Sequence, residues 1–210
     1  MASKHEYDSS FDALLHPAKN AAFFQGWDPN VDNRDHDLLC AEMSRLAYAA
    51  PDVVQSSLAQ IGFDSVELIG GEDTNDREEL LGTQGFVARS PRFGLTVVAF
   101  RGTESDKFED LIADGKSLQK EWPQHAGCLV HAGFADCWDC VSDRVAHLLA
   151  SREGTLPMTG HSLGAALATL AAIEAKPDAL VTFGSPLVGI ESWEICWLES
   201  TSAAMSTAVT

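Results

Sequence analysis

Residues 159–172 read T-G-H-S-L-G-A-A-L-A-T-L-A-A and predict a strand that turns directly into a helix. The stretch L-P-M-T ends just before the turn, and an alanine-rich apolar run begins just after it. The segment G-H-S-L-G (160–164) therefore places a serine on a strand-to-helix turn, the arrangement known as a nucleophile elbow. Gly160 and Gly164 leave room for neighbouring backbone, so we expect Ser162 to stand clear of the sheet.

The surroundings of Ser162 favour a nucleophile over a structural serine. Its hydroxyl lies at the positive end of the predicted helix, where negative charge is stabilised. The N–H of Leu163 faces the space in which a substrate carbonyl oxygen would become an oxyanion. The competing interpretation is that Ser162 is only a helix N-cap.

The elements around this turn predict an α/β fold. We expect strands at 65–69, 85–90, 95–103, 155–159 and 179–185, and helices from Asp37 to about 50, at 53–61, 104–118, 132–150 and 162–175. Such alternation is typical of a mainly parallel sheet with helices on both faces. One domain is expected over 37–189, after a loosely ordered lead-in at 1–36.

Composition narrows the classes of function. A net charge of −17 repels phosphate backbones, which argues against nucleic-acid binding. We find no run long enough to span a membrane and no signal-peptide core, so a cytoplasmic location is expected. The odd number of cysteines, five, predicts reduced thiols: Cys40, Cys128, Cys137, Cys140 and Cys196. C-W-D-C (137–140) is interpreted as helix thiols that pack, and neither a metal nor an organic cofactor is expected.

Four blocks, in this order along the chain, resemble the lipase class 3 family, the fungal-type lipases among the α/β-hydrolases. They are V-V-A-F-R-G-T-E (97–104), L-I-A-D (111–114), V-H-A-G-F (130–134), and the elbow followed by V-T-F-G-S-P-L-V-G (181–189). The resemblance covers about residues 95–189 and implies ester hydrolysis through an acyl-serine, on a lipid or small ester substrate. It also implies that Thr103 is the second oxyanion donor, beside Leu163.

The resemblance assigns further roles. Residues 104–114 occupy the place of a lid helix, with Phe108, Leu111 and Ile112 on one face. That face could cover the site in water and contact a lipid surface transiently, although a plain surface helix fits the sequence equally well. His131 is expected to be structural, and His161 to support the turn without abstracting a proton.

A complete catalytic triad is not found in this sequence. All seven histidines precede Ser162, whereas the α/β-hydrolase order is serine, acid, histidine. The only aspartate after Ser162 is Asp178, which we expect at the end of the sheet away from the site. We therefore expect little or no catalysis from these residues alone. The alternative is a non-catalytic binding or scaffold protein that keeps the elbow as architecture.

The tail at 190–210 matches none of the family pattern and is interpreted as out of frame. One permitted set of codons, read from the third base, encodes R-E-L-G-D-L-L-A-G-V-D-V-S-R-Y-V-N-C-C-D, which resembles the family and ends on the expected acid. The tail as it stands has no evident strand after Trp197. We therefore expect an unpaired sheet edge and an incomplete fold at this end.

Overall fold

The computed structural model describes Phe24 and residues 36–70, 85–102, 119–122, 127–189 and 204–208, the last five by backbone alone. The predicted helix at 104–118, and most of the lead-in and the tail, therefore lie outside the described residues. The elements are the helices α1 (Asp37–Leu46), α2 (Pro51–Gln60), α3 (Ala132–Leu149) and α4 (Leu163–Ala175), and the strands β1 (Ser65–Ile69), β2 (Gly85–Ser90), β3 (Leu95–Phe100), β4 (Gln119–Glu121), β5 (Leu129–His131), β6 (Pro157–His161), β7 (Ala179–Phe183) and β8 (Ala204–Ala208).

The main sheet has six strands in the order β1-β2-β3-β6-β7-β8. The β1–β2 and β2–β3 pairs are antiparallel, and the three pairs from β3 to β8 are parallel. The α/β prediction is confirmed, and the parallel half is the half that carries the elbow. The short strands β4 and β5 form a separate antiparallel pair that the sequence did not indicate.

Strand β3 separates two apolar cores. Val97 and Ala99 pack with α1 and α2 on one face, while Val98 and Phe100 pack with α3 and α4 on the other. All six residues of β3 are buried, as the unbroken apolar run predicts for a strand covered on both sides. Burial on both faces fixes the position of this strand. The turn that carries Ser162 packs against its carboxyl end.

Helix α4 is apolar on every side because it lies between the sheet and α3. Ten of its thirteen residues are buried, and half of those ten are alanines. Small side chains let the helix axis come close to β3, β6 and β7, all of which α4 contacts. The alanine-rich composition therefore reflects close packing beneath the elbow.

The tail contributes a strand that the sequence analysis did not expect. Residues 204–208 pair in parallel with β7, in a register that runs from Ala179–Ala204 to Phe183–Ala208. The expectations of a strandless tail and of an unpaired β7 edge were therefore wrong. The edge of β7 offers a row of backbone N–H and C=O groups, and a neighbouring segment can pair with it without an alternating side-chain pattern.

Helix α1 is tied to the sheet by a buried hydrogen bond from Thr159 Oγ1 on β6 to the carbonyl of Cys40, at 3.1 Å. Replacing Thr159 by valine keeps the shape and leaves that carbonyl without this donor, so we expect a loss of about 1 kcal/mol in the free energy of unfolding. Urea titration measures it. Thr182→Val is the control, because Thr182 is buried on β7 without a side-chain hydrogen bond among the described residues. Equal losses in the two variants would contradict the assignment.

Candidate active site

Ser162 has the backbone of a nucleophile elbow. It lies between β6 and α4 with φ 56° and ψ −123°, a positive φ that is strained for any residue other than glycine. Its N–H donates to the carbonyl of Phe183 at 3.0 Å, and its own carbonyl accepts the N–H of Ala165 at 3.0 Å. The end of β7 and the first turn of α4 therefore hold the strained residue from both sides.

The Ser162 side chain is not used for capping. Although Ser162 is the N-cap residue of α4, its hydroxyl makes no capping hydrogen bond, and the residue is partly exposed. No side chain in the described part of the chain hydrogen-bonds this hydroxyl. The N-cap interpretation raised by the sequence therefore does not describe what the Ser162 hydroxyl does.

The elbow glycines are required by contacts between backbones. A Cβ atom on Gly160 would lie 2.2 Å from the carbonyl oxygen of Gly164, and one on Gly164 would lie 2.3 Å from that of Phe100. Neither distance is compatible with a side chain unless the backbone moves. The turn thus packs against its own helix and against the end of β3.

The region where the sequence predicts the oxyanion donors is described on one side only. Leu163 is the first residue of α4, where N–H groups have no acceptor within the helix, and its side chain is buried. Thr103 lies outside the described residues, as do Phe108, Leu111 and Ile112 of the expected lid. Gly102, directly before Thr103, is close to the elbow, because a Cβ atom there would lie 3.2 Å from that of Ser162.

A buried tyrosine connects the elbow to the end of β3, and the sequence analysis missed it. Tyr48 Oη lies 2.8 Å from Nδ1 of His161 and accepts the N–H of Gly102 at 3.1 Å. The guanidinium of Arg101 lies over the tyrosine ring, 5.6 Å from its centroid. Burial raises the pKa of Tyr48 to about 12, against the opposing effects of Gly102 and Arg101, so the hydroxyl is protonated at neutral pH.

The two histidines near the motifs lie in apolar surroundings. Nδ1 of His161 is occupied by Tyr48, and burial lowers the pKa of the imidazole. His131 precedes α3 and stacks on Phe134 at 4.4 Å between ring centroids, and neither ring nitrogen has a hydrogen-bond partner within the described structure. Burial also lowers the pKa of His131. Both imidazoles are therefore neutral near pH 7.

Asp178 lies where the sequence predicted, away from the elbow. Its Oδ2 accepts the N–H of Leu156 at 2.7 Å, directly before the start of β6. Because parallel strands start at the same edge of a sheet, this carboxylate is at the opposite edge from Ser162, at the carboxyl end of β6. Asp178 joins two strand starts and takes no part in the site.

The cysteines differ in part from the expectation of reduced thiols. Cys40, Cys137 and Cys140 are thiols outside any disulfide, whereas Cys128 is disulfide-bonded, which corrects the prediction for that residue. An odd number of cysteines shows only that at least one thiol stays unpaired. Cys140 Sγ donates to the carbonyl of Asp136 at 3.2 Å, and among the described ranges no cluster of side chains could hold a metal ion.

Gly164→Ala tests the backbone contact at the elbow. Its Cβ would meet the carbonyl oxygen of Phe100 at 2.3 Å, so we expect a loss of about 2–3 kcal/mol in the free energy of unfolding. Gly127→Ala is the control, because Gly127 has φ +86° and open space around it, and only the strain of about 1 kcal/mol applies. Denaturant unfolding compares them, and a Gly164 variant as stable as the Gly127 variant would refute the contact.

The lowered pKa of His161 predicts a loss of stability in acid. The unfolded chain takes up the proton near pH 6.5 and the folded chain only at lower pH, so the free energy of unfolding falls as the pH drops through that window. Melting temperatures between pH 7.5 and 5 measure the slope. His161→Gln should reduce this slope. An unchanged slope in His161→Gln would contradict the assignment.

None of the described helices is long and apolar enough to cross a membrane. The expected cytoplasmic location is not supported by the relatives, since several curated proteins similar to this chain have "secreted" in their names. A disulfide at Cys128 also differs from what is usual in the cytosol.

Comparison with known proteins places this geometry in a family. The chain is 34% identical over 117 residues to the secreted mono- and diacylglycerol lipase 1 of Fusarium solani, a match covering 51% of this chain and 34% of that protein. The secreted mono- and diacylglycerol lipase A of Penicillium camembertii is also 34% identical over 117 residues, covering 51% and 38%. The chain thus spans little more than a third of the length of these relatives.

Solved structures agree on the fold. Lipase II from Rhizopus niveus aligns with a TM-score of 0.58 and 25% identity, covering 75% of this chain and 60% of that one. The lipase from Rhizopus microsporus var. chinensis aligns with a TM-score of 0.56 and 24% identity, covering 75% and 56%. A sequence model of the family Lipase (class 3) matches residues 97–205, more than half of the 210 residues. The chain therefore belongs to the class 3 lipase family of α/β-hydrolases.

Proposed function

We propose that this chain carries the nucleophile of a carboxylic ester hydrolase, with Ser162 forming an acyl-enzyme from a lipid or small ester substrate. The observation that supports this most is the positive φ of 56° at Ser162, on a turn between a buried strand and a buried helix. A serine held in this strained conformation, with its hydroxyl unused for capping, suits nucleophilic attack. Membership of the class 3 lipases supports ester hydrolysis as the chemistry.

The proposed reaction has two halves. Ser162 Oγ attacks the ester carbonyl carbon as its proton passes to a base, and the tetrahedral oxyanion collapses to acyl-serine and an alcohol that takes up that proton. Water then attacks the acyl-serine and releases the carboxylic acid. The Leu163 N–H and Thr103 are the proposed donors to the oxyanion, and each such donor is worth about 3 kcal/mol in the transition state.

The base and the acid are not supplied by the residues that the structure describes around Ser162. His161 uses Nδ1 on Tyr48, and Asp178 is bonded at the far edge of the sheet. In the α/β-hydrolases the acid and then the histidine follow the nucleophile, and no histidine follows Ser162 in this sequence. We therefore propose that the 210 residues alone catalyse ester hydrolysis only at a residual rate.

The names of the relatives support a proposal for the substrate class and the location. Because the curated matches are named mono- and diacylglycerol lipases and are described as secreted, we propose glyceride esters outside the cytosol as the context of the parent activity. The net charge of −17 disfavours strongly anionic lipid surfaces. The lid at Phe108, Leu111 and Ile112 stays a prediction, as does contact with a lipid surface.

The reading frame of the tail also stays a prediction. The match to the family model runs to residue 205, and β8 pairs with β7 at 204–208. In the alternative reading frame, the codons of these residues overlap those that encode R-Y-V-N. Both observations are compatible with a family strand at this place. The nucleotide sequence of the gene tests whether the tail is out of frame. If none of the downstream frames encodes an aspartate and then a histidine in family context, the frame-shift interpretation is wrong.

Hydrolysis of p-nitrophenyl butyrate tests the proposal. We expect only a small rate above the uncatalysed reaction, since loss of triad residues costs about a million-fold in kcat. The part of this rate that passes through acyl-serine should disappear in Ser162→Ala, whereas a remainder from oxyanion binding should persist. Ser56→Ala, at an exposed serine on α2, is the matched control and should keep that rate.

Two other outcomes are informative. Robust turnover that depends on Ser162 would mean that a base exists within these residues. Saturable binding of a glyceride ester, with a rate that Ser162→Ala does not change, would favour the non-catalytic binding or scaffold function.

A further inference from the structure

We propose that Tyr48 is a positioning residue for the Ser162 hydrolase: its hydroxyl joins the end of β3 and His161 of the elbow in one hydrogen-bond chain. This role rests on the proposed function. These hydrogen bonds connect three separate parts of the fold, because Tyr48 follows α1, Gly102 follows β3, and His161 ends β6. Its effect is to fix the two sides of the oxyanion region relative to each other.

The Gly102 bond has a fixed direction, and it constrains the bond between Tyr48 and His161. A backbone N–H only donates, so Tyr48 Oη is the acceptor for Gly102 at 3.1 Å. The hydroxyl proton is then available for Nδ1 of His161 at 2.8 Å, and we assign the bond in that direction, with the ring neutral and its own proton on Nε2. Tyr48 thus selects one tautomer of His161 and uses the lone pair that a general base would need.

The anchor is rigid enough to position what it holds. Tyr48 is 8% exposed, and its N–H donates to the carbonyl of Arg45 at 3.2 Å at the end of α1. Helix α1 packs against β3, β6 and β7, and Thr159 bonds it to the central sheet. A phenol fixed in this way holds the turn after β3 in one position relative to the sheet.

The space around Gly102 leaves little freedom for that turn. A Cβ atom on Gly102 would lie 2.2 Å from Tyr48 Oη, 2.7 Å from the carbonyl oxygen of His161 and 3.2 Å from the Cβ of Ser162. The end of β3 is therefore enclosed by the tyrosine and the elbow, one residue before Thr103. Loss of the hydroxyl removes the hydrogen bond that holds the Gly102 amide in this enclosure.

The other edge of the His161 ring faces the end of β7. Nε2 would lie 3.5 Å from a Cβ on Gly184, a glycine at φ +56°. A ring held by Tyr48 at Nδ1 therefore presents its N–H edge to the loop that follows β7, beside Ser162. The sequence predicts a supporting role for His161, and this geometry identifies Tyr48 as the group that orients it.

Tyr48→Phe tests the inference, since it removes the hydroxyl and keeps the ring. In the full chain labelled with ¹⁵N-histidine, we expect the wild-type His161 signals to show one tautomer with the proton on Nε2. The variant should lose the hydrogen-bonded Nδ1 signal and show a mixture of tautomers. His161→Gln identifies the signals by their disappearance.

Kinetics supply the second measurement. With p-nitrophenyl butyrate, Tyr48→Phe should lower the Ser162-dependent kcat about tenfold and leave KM within about twofold, because the interaction affects the oxyanion more than the bound substrate. Val54→Ala is the control for stability, as Val54 is buried on α2 in the core beneath the sheet. It should lower the melting temperature without changing the His161 tautomer or the ratio of kcat to KM.

The two measurements separate the two proposals. A His161 tautomer that is the same in wild type and Tyr48→Phe overturns the positioning role, whatever the rates are. A rate lowered equally by Tyr48→Phe and by a Val54→Ala variant of equal stability overturns it as well. If wild type shows no Ser162-dependent hydrolysis, the proposed function fails, and the imidazole signals still decide whether Tyr48 orients His161.

Discussion

The fold of this site depends on one constraint, the contact of backbone with backbone where the elbow meets the end of β3. A Cβ atom added to any of three glycines would lie within 2.7 Å of a backbone carbonyl oxygen: Gly102, Gly160 and Gly164. Such contacts are possible only without side chains, and they bring the first turn of α4 onto β3. The strained φ of Ser162 persists because packing on both sides leaves the residue no relaxed alternative.

Much of this arrangement could be predicted because it is local in the sequence. The unbroken apolar run of β3 indicated a strand buried on both faces, and the glycine spacing around Ser162 indicated a tight turn into a helix. Each pattern spans fewer than ten residues. The residues that cause the local structure are therefore the same residues that predict it in the sequence. Tyr48 gave no such signal, since its partners His161 and Gly102 are 113 and 54 residues away.

The errors in the sequence analysis came from features that composition does not determine. Counting cysteines cannot identify a bonded pair, because a disulfide depends on which side chains the fold brings together, and Cys128 is in a disulfide while Cys137 is not. The strand at 204–208 arises from the hydrogen-bonding groups of the β7 edge. Both corrections concern long-range pairing, for which a segment read by itself contains little information.

In the proposed reaction, the parts of ester hydrolysis that depend on position are separable from the parts that move protons. Helix α4 directs its first amides to the space beside Ser162, and Tyr48 holds the end of β3 against the same turn. Oxyanion stabilisation and substrate binding still give about 10³–10⁴-fold over water in a serine protease without its triad. Under the proposed function, a fold that keeps β3, the elbow and α4 therefore keeps a binding geometry for a tetrahedral oxyanion, whichever residues act as acid and base. Under the proposed function, that separation accounts for an elbow with intact packing in a sequence in which no histidine follows Ser162.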